Sequence, residues 1–516
     1  MSSVPPSPIP PLTPLTKWLV LTVAAIGFLF DTYELLMFPV IGADAISELV
    51  RLDPALGKNT PWWGQIGFGD NPDMVRGVPT NSDSVRLWSG RMLWIAALAG
   101  GIFGLLGGVL IDRLGRRTVM IGSIFVYSLS PVAAAYSSEL WELILFRSTT
   151  FVGVCVELVA AVTWLAELFP DKRLRELAIG WTLACASLGG ILVTEVYNEI
   201  VDFMKLHPGG VSWLPVPPAA WRYTLLTGLV PGALILLLLP FVPESRVWKE
   251  KKLTNTLKRP RFGELFSPQL RRTTIVTTLL SACGYAAAFG ALQLTPLAMA
   301  PGLPKIVAKE KEAAPNIVEA ESKLKAATTK DEKTAAAGAL GKAKAPVIQA
   351  TKEVRGNIQR WQELGGLTGR ILFAILLVYV ASRTLIRIFL LPGLILFPVT
   401  YLILYQGDYT FFAIAIFCCG LVTVAQFSYI SEYLPKVFPV HLRGTGSAFA
   451  TNVGGRMLGT MAALLNTELI SPMFTGDANP LRVAKAAAII GCTVYLIALG
   501  LSFLLPEPRD EEITKA

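Results

Sequence analysis

The sequence predicts an all-α membrane protein: twelve transmembrane helices in two six-helix pseudo-symmetric halves. Three observations predict it. Of the 516 residues, 53% are hydrophobic and 16% charged, with a mean hydropathy of +0.53. That is more apolar surface than a water-soluble core hides. Apolar runs near the ~20 residues a helix needs to cross a bilayer recur at 18–41, 95–111, 179–196, 225–242, 371–381 with its flanks, 386–404 and 489–505. One charge order also occurs twice, in TWLAELFPDKRLRELAIG (163–180) and in YISEYLPKVFPVHLRGTGSAFATNVGGR (429–456): glutamate, proline, base, then a glycine-bearing apolar segment. Duplicated halves are how a membrane protein builds a central site that opens to either side.

With weaker runs included, spans fall at 17–45, 87–111, 117–136, 139–168, 177–203 and 221–243 in the first half (17–243). In the second half (273–505) they fall at 273–299, 363–382, 385–405, 409–434, 444–471 and 482–505. The central loop 244–272 is basic, with Arg246, Lys249, Lys251, Lys252, Lys258, Arg259 and Arg261 and few acids. Cytoplasmic loops carry such an excess, so this loop lies inside. Counting spans outward puts the tails 1–16 and 506–516 and the basic loops 112–117 and 170–175 on the same side. The proline-rich start carries one lysine, with no basic stretch and no small-residue cleavage site, so no removable signal peptide is expected.

Two outer loops are long. The first, 49–86, is polar and rich in Gly, Pro and Asp. The second, 301–360, holds 12 Lys or Arg against 7 Asp or Glu. Its Ala, Lys and Glu favour helix. A break near Gly338 and Gly341 predicts a helical hairpin standing off the membrane. It reads as a solvated insertion or, alternatively, as a docking surface for an outer partner. The six cysteines, Cys155, Cys185, Cys283, Cys418, Cys419 and Cys492, all fall in apolar runs and read as small apolar residues. Their spacing offers neither a metal site nor a disulfide framework. The net charge of +9 belongs to cytoplasmic loops rather than to a nucleic-acid surface.

The string GGVLIDRLGRR (107–117) closes an apolar segment in which Gly100, Gly104 and Gly108 recur at every fourth position. That spacing puts three glycines on one helix face and lets a neighbouring helix approach closely in lipid. Asp112, Arg113, Arg116 and Arg117 follow around Gly115. The string resembles the loop signature between the second and third spans of major facilitator superfamily transporters. PESRVW (243–248) resembles the PESPR string that closes the sixth span in the sugar-and-metabolite branch of that superfamily. The resemblance covers roughly 17–260 and 363–508. It implies a latch built from Gly108, Asp112, Arg113, Gly115, Arg116 and Arg117. Asp112 would face the helix start near Arg443 and Gly446, where the helix dipole favours an anion. Glu167 with Arg443, and Glu432 with Arg173 or Arg175, would pair across the halves in one access state and part in the other. Arg456, following Gly454 and Gly455, is expected as a structural or gating arginine. The matching second-half loop, 381–387, keeps only Arg383 and Arg387.

Ionisable residues inside spans are costly in lipid and mark function. Asp31 and Glu34, in GFLFDTYEL, lie three apart on one helix face. Two neighbouring carboxylates cannot easily both ionise in low dielectric, which suits a proton-coupling site. The string resembles the Asp-x-x-Asp region of aromatic-acid and other metabolite:proton symporters, with Thr32 in place of the usual Gly and Glu34 in place of the second Asp. Arg147, Glu157 and Arg370 are further charged candidates. A guanidinium grips a carboxylate through two parallel hydrogen bonds, so Arg147 and Arg370 point either to an anionic substrate or to counter-ions for the acids. Tyr285, Gln293, Gln426, Tyr429 and Asn452 are the polar candidates for substrate contact. Hexose porters of the branch carry paired glutamines in spans five and seven. Here only Gln293 is present, which argues against sugar.

No GxxxxGK[ST] string appears, and His207 and His441 lie in loops without a nucleophile partner, so no enzyme, cofactor or metal is expected. The expected function is secondary active transport of a small polar or anionic metabolite by alternating access, coupled to protons. The expected partners are substrate, protons and the lipid bilayer of a bacterial-type inner membrane, with the chain a monomer and no nucleic acid bound. The alternatives are a passive facilitator or exporter of a neutral solute such as a sugar, and a non-transporting receptor or scaffold.

Overall fold

The computed structural model describes residues 13–68, 74–169, 172–238, 243–244, 249, 262–326, 329–377, 379–439 and 442–506. The first half comprises α1 (Pro14–Leu49), α2 (Asp83–Leu114), α3 (Arg116–Ala135), α4 (Leu140–Leu168), α5 (Lys172–Leu206) and the stepped pair α6 (Ala220–Leu226) and α7 (Leu229–Leu238). In the second half, α8 (Arg271–Ala287) continues through widened turns at Ala288–Leu292 and Thr295–Met299. A hairpin of α9 (Pro304–Ala326) and α10 (Lys330–Leu376) follows. Then come α11 (Ser382–Pro398), α12 (Tyr409–Glu432), α13 (Arg443–Phe449) extended by wide turns over Ala450–Gly459, α14 (Met461–Leu464) and α15 (Asn479–Ser502).

Local chemistry sets the helix starts. The Thr13 hydroxyl accepts from Thr16 N at 3.2 Å, with Pro14 in the first turn, a residue whose missing N–H costs nothing there. Glu139 and Glu142 form a capping box for α4, and Thr329 and Glu332 form one for α10. The start of α3 is capped from a distance. Glu244, of the PESRVW string, accepts from the backbone N–H groups of Arg116 and Arg117 at 3.1 Å each. A carboxylate belongs at the positive end of a helix. Gly115 makes the turn before it at φ +100°.

Eight described helices are long and apolar enough to cross a membrane. They match the expected spans at 17–45, 87–111, 117–136, 139–168, 273–299, 385–405, 409–434 and 482–505. Of the other expected spans, 177–203 is helical throughout, 221–243 is helical on either side of a step at Thr227 and Gly228 as far as Leu238, 363–382 is helical to Leu376, and 444–471 is helical apart from a turn at Thr460. The halves pack by one plan. In the first, α1 lies on α5, α2 on α4, and α3 on α6 and α7. In the second, α8 lies on the wide-turn segment after α13, α10 on α12, and α11 on α15. One polar detail repeats as well. Trp164 Nε1 donates to Pro243 O at 3.2 Å, and the Tyr433 hydroxyl donates to Pro506 O. In each half an aromatic donor at the end of the fourth span fastens a carbonyl that follows the last helix in sequence.

The halves meet along three seams: α2 with the segment after α13, α5 with α10, and α1 with the wide turn at Thr295–Met299. Polar contacts fasten these seams at the hairpin end. Arg91 donates to Glu468 Oε1 at 2.5 Å, Arg86 to Thr467 O, and Asn479 to Asn81 O at 3.0 Å. The first long loop is folded rather than loose. Arg51 and Leu52 pair antiparallel with Arg76 and Val75, both arginines bind Glu139, and Trp88 Nε1 donates to Gln65 Oε1 at 2.8 Å.

The second loop departs from expectation. Gly338 and Gly341 lie inside an unbroken α10, and the break falls between Ala326 and the Thr329 cap. Alanines around the glycines supply enough helix propensity to carry the chain through them. The helix of the hairpin and the expected span 363–382 form one rod of 47 residues, about 70 Å long at 1.5 Å per residue. Ala350, Val354 and Ile358 form a buried stripe along it, so the lower part is packed against the protein rather than solvated.

Candidate substrate and proton site

Asp31 and Glu34 sit midway along α1, both buried, because the apolar middle of this helix is covered by its neighbours. One turn before Asp31 is Gly27. A Cβ there would lie 2.6 Å from Glu157 Oε1, so the glycine makes room for the α4 acid against α1. The carboxyl groups of Asp31 and Glu157 face each other. No donor among the described residues reaches any of their four oxygens. The acid pair is therefore Asp31 with Glu157. Residues three apart on a helix are offset by about 60°, and the offset decides their partners. Glu34 reaches the step between α6 and α7 instead, where a Cβ on Gly228 would lie 2.5 Å from its Oε1. The neighbouring Tyr33 hydroxyl bonds the Thr227 hydroxyl at 2.5 Å.

Arg147 attracts Glu34 electrostatically, but its hydrogen bonds go to the backbone. Its Nη1 donates to Glu34 O and its Nη2 to Leu35 O, each at 2.7 Å. Pro39 lies inside α1 and lacks the N–H that would serve Leu35 O four residues back. The guanidinium replaces that donor and stacks on Phe151 at 4.9 Å and Phe38 at 5.3 Å.

The second half brings Arg456 to the acid pair. Arg456 is buried, donates through Nη1 to Asn452 Oδ1 at 2.7 Å, and is attracted by Asp31. Asn452 donates in turn to Ala448 O at 3.0 Å. Glycines on α2 allow this meeting. A Cβ on Gly101 would lie 2.9 Å from Met457, and one on Gly104 would lie 2.6 Å from Asn452 Oδ1 and 3.3 Å from Cys155 Cβ. Gly100 faces Cys155 Sγ at 2.7 Å on the same terms. The glycine spacing read from the sequence is thus a true close-packing face, shared between α4 and the segment after α13. The wide turns of Ala450–Gly459 are π-helical geometry, which is frequent at functional positions.

Tyr285 lies beside Arg456, over the bare backbones of Gly455 and Gly459, where a Cβ would meet its ring and its Cβ at 2.6 Å. It stacks on Phe289 and meets Phe427 edge-on at 5.0 Å. Arg370 interacts with Tyr285 and with Glu363 two turns away. Gln293 is buried with its carbonyl oxygen unbonded among the described residues. Gln426 Nε2 donates to Val422 O at 3.3 Å. The side chains of Gly108, Asp112, Glu167, Arg173, Arg175, Tyr429, Glu432 and Arg443 lie outside the described residues. Of the other latch candidates, Arg113 is exposed, and the buried Arg116 donates to Ile111 O at 3.1 Å.

The structure therefore joins Asp31, Glu157, Arg456, Asn452, Tyr285 and Arg370, and sets Arg147 and Glu34 aside at the proline-broken stretch of α1. It adds residues not singled out in the sequence. Glu363 is buried and accepts from Gln359 at 2.7 Å and Gln362 at 3.3 Å. Its second oxygen lies against Gly190 of α5. In sequence it directly follows the charged insertion and passes for a helix-end charge, although the four-residue spacing from Gln359 was visible. Tyr127 is fully buried, its hydroxyl without a partner among the described residues and in the field of Asp31, Glu157 and Glu34.

The sequence profile of the Major Facilitator Superfamily matches residues 84–311. That stretch is less than half of the chain, and over it the chain is similar to the major facilitator superfamily. That superfamily consists of transporters, not enzymes, and the chain, with eight described helices of membrane-crossing length and apolarity, is a multi-pass integral membrane protein. The chain is 27% identical over 213 residues to the arabinose-proton symporter of Bacillus subtilis, 36% of this chain and 44% of that protein. It is 34% identical over 152 residues to a 4-hydroxybenzoate transporter of Pseudomonas aeruginosa, 29% of this chain and 30% of that protein. Both alignments span less than half of the relative's length. A probable 4-methylmuconolactone transporter of Cupriavidus pinatubonensis aligns more fully, at 23% identity over 80% of this chain and 81% of that protein. Among solved structures, a D-xylose-proton symporter superimposes with a TM-score of 0.63 at 17% identity, over 96% of this chain and 99% of that one. The chain thus shares its fold with a proton-coupled sugar carrier.

Proposed function

We propose that the chain is a major facilitator superfamily transporter that carries a small carboxylate across the membrane together with protons, by alternating access of one central site. The observation that supports this reading is the buried acid pair of one half, Asp31 and Glu157, facing Arg456 of the other half. Two facing carboxyls repel unless a proton is shared between them or a cation neutralises them. With the pair ionised, Arg456 is its counter-ion. A proton taken up by the pair releases Arg456 toward a substrate carboxylate, which a guanidinium binds through parallel hydrogen bonds. Tyr285 and Arg370 line the same side. Proton and anion then enter as a nearly neutral load, which lowers the charge that must reorient through low dielectric.

The cross-half contacts at the hairpin end support a state closed on that side. Taking that side as external, with the basic loops cytoplasmic, makes this a state closed to the outside. The relatives' named substrates, 4-hydroxybenzoate and a muconolactone, are small carboxylates or their lactones. The arabinose relative favours a second reading, a proton-coupled sugar carrier. The test is uptake of radiolabelled 4-hydroxybenzoate, muconate and arabinose by proteoliposomes. Asp31→Asn and Glu157→Gln should each abolish accumulation while preloaded exchange survives. Accumulation that persists in both variants sinks the coupling assignment, and uptake of arabinose alone transfers the site to sugar.

A further inference from the structure

The hairpin inserted before the eighth span places one residue where it touches both halves at once. Arg355 of α10 is fully buried. Its Nε donates to Pro296 O at 3.0 Å, and its Nη1 donates to Val40 O at 3.3 Å and to Asp44 Oδ1 at 3.0 Å. Lys352, one turn earlier, stands 3.9 Å from the other Asp44 oxygen. The Tyr197 hydroxyl of α5 faces the same guanidinium. Three helices of the closed end therefore converge on one side chain, and α1 and α5 belong to the opposite half.

The surroundings make this a seam. Antiparallel to α5, α10 places Glu353 on Lys205 at 2.7 Å, Gly356 under Asn198, Arg360 on Glu195, and Glu363 against Gly190. A Cβ on Gly356 would lie 3.0 Å from Asn198 Cγ, so α10 has no room to slide without separating from α5. The same α10 carries the hairpin outward without interruption and carries Glu363 and Arg370 inward. Any motion that opens this end must break Arg355–Asp44 and Arg355–Val40, and must move the hairpin with the gate.

We propose that Arg355 is a gating residue and that the hairpin is a lever of the gate, rather than a passive insertion. The guanidinium supplies charge-assisted bonds to Asp44 and to two backbone carbonyls in a site without competing water, which holds the hairpin end shut. The proposal rests on the alternating-access reading above. Its main readout needs no substrate, so failure of the gate and failure of the transport assignment are separable. Spin labels are placed through Leu56→Cys and Met473→Cys, on exposed positions of opposite halves at this end, in a background lacking the six native cysteines. Their distance distribution is then measured by electron–electron resonance. Arg355→Gln and Asp44→Asn should each raise the population at the longer distance about tenfold, the loss of one charged hydrogen bond. An unchanged distribution in the two folded variants overturns the proposal. Should either variant fail to fold, the staple Asn198→Cys with Gly356→Cys decides with Arg355 in place. The proposal expects uptake lost on oxidation and restored by reductant. Full uptake by a completely stapled protein overturns it.

Discussion

Gly104 gives a sharp test of how the two halves meet. Replacing it with alanine puts a Cβ 2.6 Å from Asn452 Oδ1 and 3.3 Å from Cys155 Cβ. The second distance is tight but tolerable. The first forces the Asn452 amide to turn, and that amide holds Arg456 at 2.7 Å. Gly104→Ala should therefore cost about 1–3 kcal/mol, the usual range for overpacking. Asn452→Ala alone should cost a similar amount, about 1.5–3 kcal/mol, by removing a hydrogen bond to a charged group. In the double variant the obstacle is gone and the bond is already lost. Its cost should fall short of the sum by about 1–2 kcal/mol, as expected for residues in direct contact. A contrasting site calibrates the cycle. Gly454→Ala would place a Cβ 2.9 Å from the backbone carbon of Thr278, so Thr278→Ala should give no rescue. Unfolding in mixed micelles followed by circular dichroism measures the wild type, the four single variants and the two double variants. Additive costs for Gly104 and Asn452, within about 0.5 kcal/mol, would refute the close-packing account of this seam.

Three further outcomes follow from the geometry. Arg147→Gln should destabilise the protein by about 1–3 kcal/mol, and much less in a Pro39→Ala background, where residue 39 regains the N–H for Leu35 O; equal costs in both backgrounds would remove Pro39 as the reason for Arg147. Glu244→Ala should cost about 1 kcal/mol as a lost helix cap and speed hydrogen exchange at the Arg116 and Arg117 amides, whereas unchanged exchange there would show that the capping contact is idle. Lys205 holds the Glu353 carboxyl below its ordinary value of 4.5. A lowered carboxylate stabilises above that ordinary value and is lost only as pH falls through its own, so exchange protection around 350–356 should survive at pH 4.5 and fade at more acid pH. Loss of protection already above pH 5 contradicts the pairing.

Much of the scaffold was legible because lipid leaves few choices. Long apolar runs must be helices, and a glycine at every fourth position must be a packing face. Gly100 and Gly104 behave as their spacing implied. The second loop misled because alanine-rich helix absorbs glycine, so Gly338 and Gly341 do not break α10. Asp31 was legible as a buried acid, but its partner was not. Whether it meets Glu34 or Glu157 depends on Gly27 admitting the α4 side chain, a tertiary fact with no local mark. Arg147 read as a substrate ligand or a counter-ion for the acids because a buried guanidinium suits an anion. Its actual contacts follow from Pro39, more than a hundred residues away in sequence. Arg355 lay within a run of lysines and glutamates, and nothing in that composition separates a fully buried arginine from its solvated neighbours.

The central claim is that a proton and a carboxylate share the site at Asp31, Glu157 and Arg456. The most direct measurement loads proteoliposomes with a pH-sensitive dye and adds 4-hydroxybenzoate outside without any imposed gradient. The account predicts acidification of the lumen that depends on substrate in the wild type and is absent in Asp31→Asn. Substrate entry with no accompanying proton, or acidification that survives Asp31→Asn at full size, would contradict it.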